Sequence, residues 1–232
     1  TITAAFGDTI SLPVPTKQCT VTYSVGNDAL VVPQTMNSNY TFIGWYTDAT
    51  NGEQKNYSTM PALDETLYAH WDSTSAKISL PTATKTGYTF VGWYSDSALT
   101  NKVGNAGDYY TPSGDITLYA KWEINEYTLS FNATGGEVTP DTITENFDSS
   151  ITVPTATRQH TVRYNTDGGG TIANETVTYI FTGWYTEATG GTQRNYTNMP
   201  DIDETLYAHW DSTSAKITLP LPTKTGHTFA GW

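Results

Sequence analysis

Two short tryptophan motifs recur along the chain, and their spacing restricts the fold more than any other feature. The first is Tyr40-Thr-Phe-Ile-Gly-Trp-Tyr46, whose Gly-Trp returns at Gly92-Trp93, Gly183-Trp184 and Gly231-Trp232. The second is Leu67-Tyr-Ala-His-Trp71, which returns at Leu118 to Trp122 and Leu206 to Trp210. All seven tryptophans fall in one motif or the other. Apolar residues make up only 37% of the chain, so each copy must build a small core around these rings.

Two periods are present. Trp45 and Trp184, Trp71 and Trp210, and Trp93 and Trp232 are each 139 residues apart, and Thr66 to Ile78 reappears letter for letter at Thr205 to Ile217. Near the amino terminus the offset is 141, since Thr1-Ile-Thr3 matches Thr142-Ile-Thr144 and Gln18 matches Gln159. In sequence order the chain divides into a longer module at 1–71, a shorter one at 72–122, a copy of the longer one at 123–210 and a truncated copy of the shorter at 211–232. The step from Lys to the glycine of Gly-Trp is 27 residues in the first module (Lys17 to Gly44) and 7 in the second (Lys85 to Gly92). An extra hairpin accounts for the difference, because Tyr127-Thr-Leu-Ser-Phe-Asn-Ala-Thr-Gly-Gly136 resembles His160-Thr-Val-Arg-Tyr-Asn-Thr-Asp-Gly-Gly169. Spacing leaves two connectivities open. The modules follow one another in a line, or the module at 159–210 interrupts one that opens at 126 and resumes near Thr225.

Thr20-Val-Thr-Tyr23, Thr128-Leu-Ser-Phe131, Thr161-Val-Arg-Tyr164 and Ile116 to Trp122 alternate with period two and favour β-branched and aromatic residues, as strands do. Gly-Gly at 135–136, 168–170 and 190–191 supplies hairpin or bulge positions. Pro13, Pro81, Pro154 and Pro220 should end strands or sit on edges. A single helical turn at Tyr57 to Met60, and its twin at Tyr196 to Met199, is the most helix the pattern allows. The alternation puts Leu67, Ala69 and Trp71 on one face and Tyr68 and His70 on the other. Lys121 replaces His70 in another copy, which marks that position as outward. Trp45, Trp71, Trp93, Trp122, Trp184 and Trp210 are therefore the candidate core, and the glycine before Trp45 and its equivalents marks a bulge or a ring lying on the backbone.

Function is less visible than architecture. Eleven basic against 23 acidic residues give a net charge of −12, which argues against nucleic acid and against attraction to anionic lipid. No apolar run approaches the roughly 20 residues of a membrane span, so no membrane insertion is expected in this segment. Cys19 is the only cysteine and its counterpart is His160, so no internal disulfide forms. Asp64-Glu65 and Asp203-Glu204 precede the closing motif and read as solvated loop residues. His70, His160, His209 and His227 lack metal-ligand spacing, and Asn165 to Gly170 lacks the alternating acidic ligands of a calcium loop. No catalytic residue, metal or cofactor is expected.

The Tyr-Thr-Leu-Ser-Phe-Asn-Ala-Thr-Gly-Gly hairpin, the run Pro81-Thr-Ala-Thr-Lys-Thr-Gly-Tyr-Thr-Phe-Val-Gly-Trp-Tyr94 and the Leu-Tyr-Ala-x-Trp ending resemble the Listeria–Bacteroides repeat, the B-repeat of internalin-type surface proteins. The resemblance covers nearly the whole chain. It implies mainly β architecture, with small β-grasp-like modules in an elongated tandem array. It also implies an extracellular place at a bacterial cell surface, in stalks of adhesins. The partners it implies are neighbouring modules, with a host protein or glycan, or self-association into a filament, as alternatives. Any binding site is expected where modules differ: the extra hairpin and the loops Thr47 to Tyr57 and Ser95 to Tyr110.

Overall fold

Period-two stretches become strands, and every helix or strand among the described residues is a strand. The computed structural model describes residues 1–166 and 172–232, which form two units, Thr1–Glu123 and Ile124–Trp232. The fold is mainly β. Among the described residues no helix is long and apolar enough to cross a membrane.

The first unit contains β1 (Lys17–Ser24), β2 (Ala29–Val31), β3 (Thr35–Tyr46), β4 (Gln54–Lys55), β5 (Tyr68–Asp72), β6 (Ile78–Ser79), β7 (Ala83–Lys85), β8 (Tyr88–Tyr94), β9 (Lys102–Gly104), β10 (Tyr109–Tyr110) and β11 (Ile116–Ile124). Its main sheet runs β2-β7-β8-β11-β1-β3-β4, with β5 also on β3 and β9 also on β8. The central pair is parallel: β1 lies beside β11, from Val21 opposite Ile116 to Ser24 opposite Tyr119. Parallel strands need a long crossover, and here it is the whole of 25–115. As a result residues 17–36 share a core with 76–122. Val21, Tyr23 and Val31 from the early hairpin pack with Ile78, Leu80, Ala83, Trp93, Leu118 and Ala120. From Thr41 on, the first module pairs within itself, with 54–55 and 68–72.

β3 belongs to both groups. Its first half pairs with β1, from Thr35 opposite Thr22 to Tyr40 opposite Lys17. Its second half pairs with β5, from Thr41 opposite Asp72 to Tyr46 opposite Tyr68. At the changeover the buried Ser38 hydroxyl donates to the Ala76 carbonyl and the Tyr40 hydroxyl donates to the Pro112 carbonyl.

The second unit contains β12 (Glu126–Asn132), β13 (Thr142–Asn146), β14 (Gln159–Val162), β15 (Glu175–Thr178), β16 (Ile180–Tyr185), β17 (Gln193–Arg194) and β18 (Glu204–Asp211). Its sheet runs β13-β12-β18-β16-β17, again with a parallel pair of opening and closing strands, Leu129 opposite Glu204 to Asn132 opposite Tyr207. Leu129, Phe131, Ala133, Ala156, Trp184, Met199, Leu206 and Ala208 fill the core. The hairpin β14–β15 stands outside this sheet. Its Tyr164 ring meets Trp232 at 5.0 Å, as Tyr23 meets Trp93 at 4.8 Å in the first unit.

A module that opens at 126 closes at 211, and the hairpin between 159 and 178 that interrupts it turns toward residues 211–232. In the first unit the two modules interlock through β3, and Asn125 alone separates β11 from β12. No helical turn forms at 57–60 or 196–199. Their backbone groups pair instead with an earlier segment: Thr59 bridges Thr9 and Asn198 bridges Ser150, with Met60 N–H on the Asp8 carbonyl at 2.9 Å and Met199 N–H on the Ser149 carbonyl at 2.8 Å.

Candidate functional site

Each module is closed by a clasp of three aromatic rings. Phe90 lies edge-on between Trp93 (5.2 Å) and Trp122 (5.4 Å), and Phe181 lies between Trp184 (5.3 Å) and Trp210 (5.7 Å). Phe42 holds Trp45 and Trp71 in the same way, both at 5.6 Å. Edge-to-face packing of this kind is the favoured aromatic geometry. The indole N–H of the Gly-Trp residue donates to a proline carbonyl in every copy: Trp45 to Pro13 (2.8 Å), Trp93 to Pro81, Trp184 to Pro154 and Trp232 to Pro220 (2.7 Å each). The indole of the closing motif donates to the end of the opening strand, Trp122 to the Val25 carbonyl (3.0 Å) and Trp210 to that of Ala133 (3.1 Å). Trp93 and Trp184 are fully buried, whereas Trp45, Trp71, Trp122 and Trp210 are half-buried.

The glycine before the tryptophan sits at or beside a bulge. Register shifts between Phe42 and Gly44 and between Phe181 and Gly183. At Gly92, with φ of +141°, a Cβ would stand 2.7 Å from the Gly104 carbonyl oxygen. His70 and His209, at the outward position, stack on Tyr46 and Tyr185 at 3.9 Å. Their Nε2 atoms lie 2.8 and 2.9 Å from the Asp48 and Glu187 carbonyl oxygens. Lys121 covers Tyr94 in the second copy, which explains how His and Lys exchange there.

The acidic pair before the closing motif has a task that the reading as solvated loop missed. The Asp115 carboxylate accepts the backbone N–H of Thr20, and that of Asp203 accepts Thr128 N–H, both at 2.7 Å. Each aspartate stands three residues before the leucine of Leu-Tyr-Ala-x-Trp and pins the start of the parallel opening strand. Asp64 occupies the same place before Leu67. The signal was this fixed offset, hidden by pairing Gly114-Asp115 with Asp64-Glu65 one position out of step. The next residue positions a tyrosine: Tyr196 donates to Glu204 at 2.8 Å and Tyr57 to Glu65 at 2.6 Å. Burial, followed by that hydrogen bond, pushes the Tyr196 phenol above its ordinary pKa.

The first unit has a groove beside Asp64. It measures about 590 Å³ and runs between Thr1–Ala4 on one side and Asp64–Leu67 on the other, floored by Ile10, Leu12, Trp45 and Met60. In the second unit the corresponding Met199 and Leu206 are buried at 1% and 0% exposure, beneath Leu129 and Phe131 of β12. Met60 and Leu67 are only half-buried. Local structure follows the same difference. β18 begins at Glu204, but β5 begins only at Tyr68, and Thr1–Thr3 is irregular where Thr142–Thr144 lies in β13.

The loops expected to differ between modules are closed on themselves. Asp48 accepts Thr50 and Asn51 N–H, and Asp96 accepts Thr100 and Asn101 N–H, so both carboxyls lie below their usual pKa. Among the described residues no three His, Cys, Asp or Glu side chains are placed to hold a metal ion. Most of the Asn165 to Gly170 stretch lies outside the described residues. Cys19 is buried in β1.

The Listeria–Bacteroides repeat domain matches residues 4–70, 72–121 and 178–209, more than half of the chain. A protein of Evansella cellulosilytica named "Putative Gly-rich membrane protein" is 27% identical over 83% of this chain and 26% of its own length. Internalin H of Listeria monocytogenes is 30% identical over 56% of this chain and 29% of its own length. The chain thus spans less than a third of the relatives it is similar to. Module clasp, strand seat and interlocked order are accordingly how this sequence builds repeats whose family is shown: the chain belongs to the Listeria–Bacteroides repeat family.

Proposed function

We propose that these residues form a spacer in a bacterial cell-surface protein, carrying tension along an extracellular stalk. The observation behind this reading is β3, a 12-residue strand whose two halves pair with different partners, β1 and β5. A linear array transmits tension through one flexible connection between modules. In the first unit the interlocked modules are joined three times, at 16–17, along β3 and at 72–77. The names of the relatives, one an internalin and one a membrane protein, accord with a surface location.

Single-molecule stretching of the chain, tethered at both ends, tests the reading. The first unit is expected to lengthen in one cooperative step that releases residues 1–123 together. Independent release of 1–72 at low force, before 76–122 yields, would remove the load-bearing role.

A further inference from the structure

We infer that Asn51-Gly52 is a self-modifying site: the turn converts its own asparagine to aspartyl and isoaspartyl residues, with loss of ammonia. This inference does not rest on the spacer reading.

Of the chain's asparagines only Asn51 precedes a glycine. The reaction needs the backbone nitrogen of the following residue to reach the side-chain carbonyl carbon, and a Cβ on that residue obstructs the approach. Glycine has none. Asn51 is exposed in the turn between β3 and β4. Four amides of this turn are spent. Thr47 N–H donates to the Glu53 carbonyl (3.0 Å) and Glu53 N–H to the Thr47 hydroxyl (2.9 Å). Thr50 and Asn51 N–H both donate to the Asp48 carboxylate, at 2.8 and 3.2 Å. Among the described residues the two groups that must react, the Gly52 N–H and the Asn51 side-chain amide, have no hydrogen-bond partner. A Cβ at residue 52 would collide with the Asp48 backbone nitrogen, so close packing of the turn keeps a glycine beside this asparagine. The matching turns lack the side-chain amide: Leu99-Thr100 and Gly190-Gly191 stand in these places, within the Ser95–Asn101 and Thr186–Thr192 pairs.

The chemistry needs only water. Hydroxide or water takes the Gly52 amide proton, and the nitrogen bonds to Cγ of Asn51. The Cγ–Nδ2 bond breaks and ammonia leaves, closing a succinimide ring. Water then reopens the ring at either carbonyl carbon. Breaking the new Cγ–N bond gives aspartate. Breaking the original peptide C–N bond gives isoaspartate, whose main chain runs through Cβ and is one atom longer. One water is consumed for each ammonia released.

The added atom and the new carboxylate fall inside a turn whose ends are held by the Thr47–Glu53 pair, beside the carboxylate of Asp48. The Asp48 carbonyl that meets His70 Nε2 lies in the same turn. Isoaspartate at 51 therefore releases residues 47–53 and leaves the clasp of Phe42, Trp45 and Trp71 in place.

The test incubates the intact chain at neutral and at mildly alkaline pH and follows each asparagine by peptide mapping with mass spectrometry. Isoaspartate is identified by its labelling with isoaspartyl methyltransferase. Conversion at Asn51 should outpace that at every other asparagine at least tenfold and should accelerate with pH. Amide exchange at 47–53 should then quicken severalfold in the converted protein, while an Asn51→Gln chain carried through the same incubation stays as it was. Conversion of Asn51 no faster than that of the exposed Asn27 or Asn105, or conversion in urea but not in the folded chain, would overturn the inference. Exchange at 47–53 that is the same before and after conversion would overturn the release of the turn.

Discussion

At the scale of single residues the clasp is the most sensitive point. Phe90→Ala empties the space between two indoles and should cost about 3 kcal/mol. Its effect belongs to the first unit alone, and Phe181→Ala should do the same to the second, so differential scanning calorimetry of each variant should move one transition. The strand-pinning aspartates give a finer contrast. Asp115→Ala and Asp203→Ala each remove a charge-assisted bond at a partly wet site and should cost about 1 kcal/mol by urea denaturation. Asp64→Ala should change stability by less than half as much, since no strand N–H among the described residues reaches it. The recurrence of tryptophan identified the clasp's two ends from sequence. The phenylalanine between them did not stand out, because an aromatic in a strand has many uses. The prolines read as strand ends, yet it is their carbonyls, invisible to any residue pattern, that receive the indoles.

At the scale of elements, strands were legible and their partners were not. Period two announces β1, β11 and β12, because one face of each is buried. Nothing local says that β1 pairs with β11, across a separation of 95 residues between Thr20 and Asp115. The extended pairing of 57–60 with 8–10 was hidden for the same reason: a short polar run before proline looks alike whether it turns or bridges. β3 carries the testable consequence. Inserting two glycines after Asn39 should leave the core of 76–122 protected while amide exchange at 42–46 and 68–72 accelerates at least tenfold. Uniform acceleration throughout the unit would mean that the two halves of β3 are not separable.

At the scale of the whole molecule the ionisable groups set a pH range. Asp48, Asp72, Asp96 and Asp211 lie below their usual pKa, chiefly through hydrogen bonds from Thr50, Thr74, Thr100 and Thr213. A depressed carboxyl stabilises the fold above its unfolded pKa and loses that contribution as pH falls through the folded value. The turns should therefore loosen below about pH 4. Tyr23 has the opposite sign. Burial raises its phenol to about 12, so its contribution is complete below the ordinary value of 10.0 and is lost as pH rises toward 12. Urea midpoints of the first unit should fall across that alkaline range, and Tyr23→Phe should flatten the fall.

The pairing of β1 with β11 has a consequence for how such a gene grows. In the first unit β1 and β11 come from different modules of the sequence and share one core, so copying residues 72–122 alone would duplicate β11 without its β1 partner. Duplication of the whole 139-residue period keeps the two strands together.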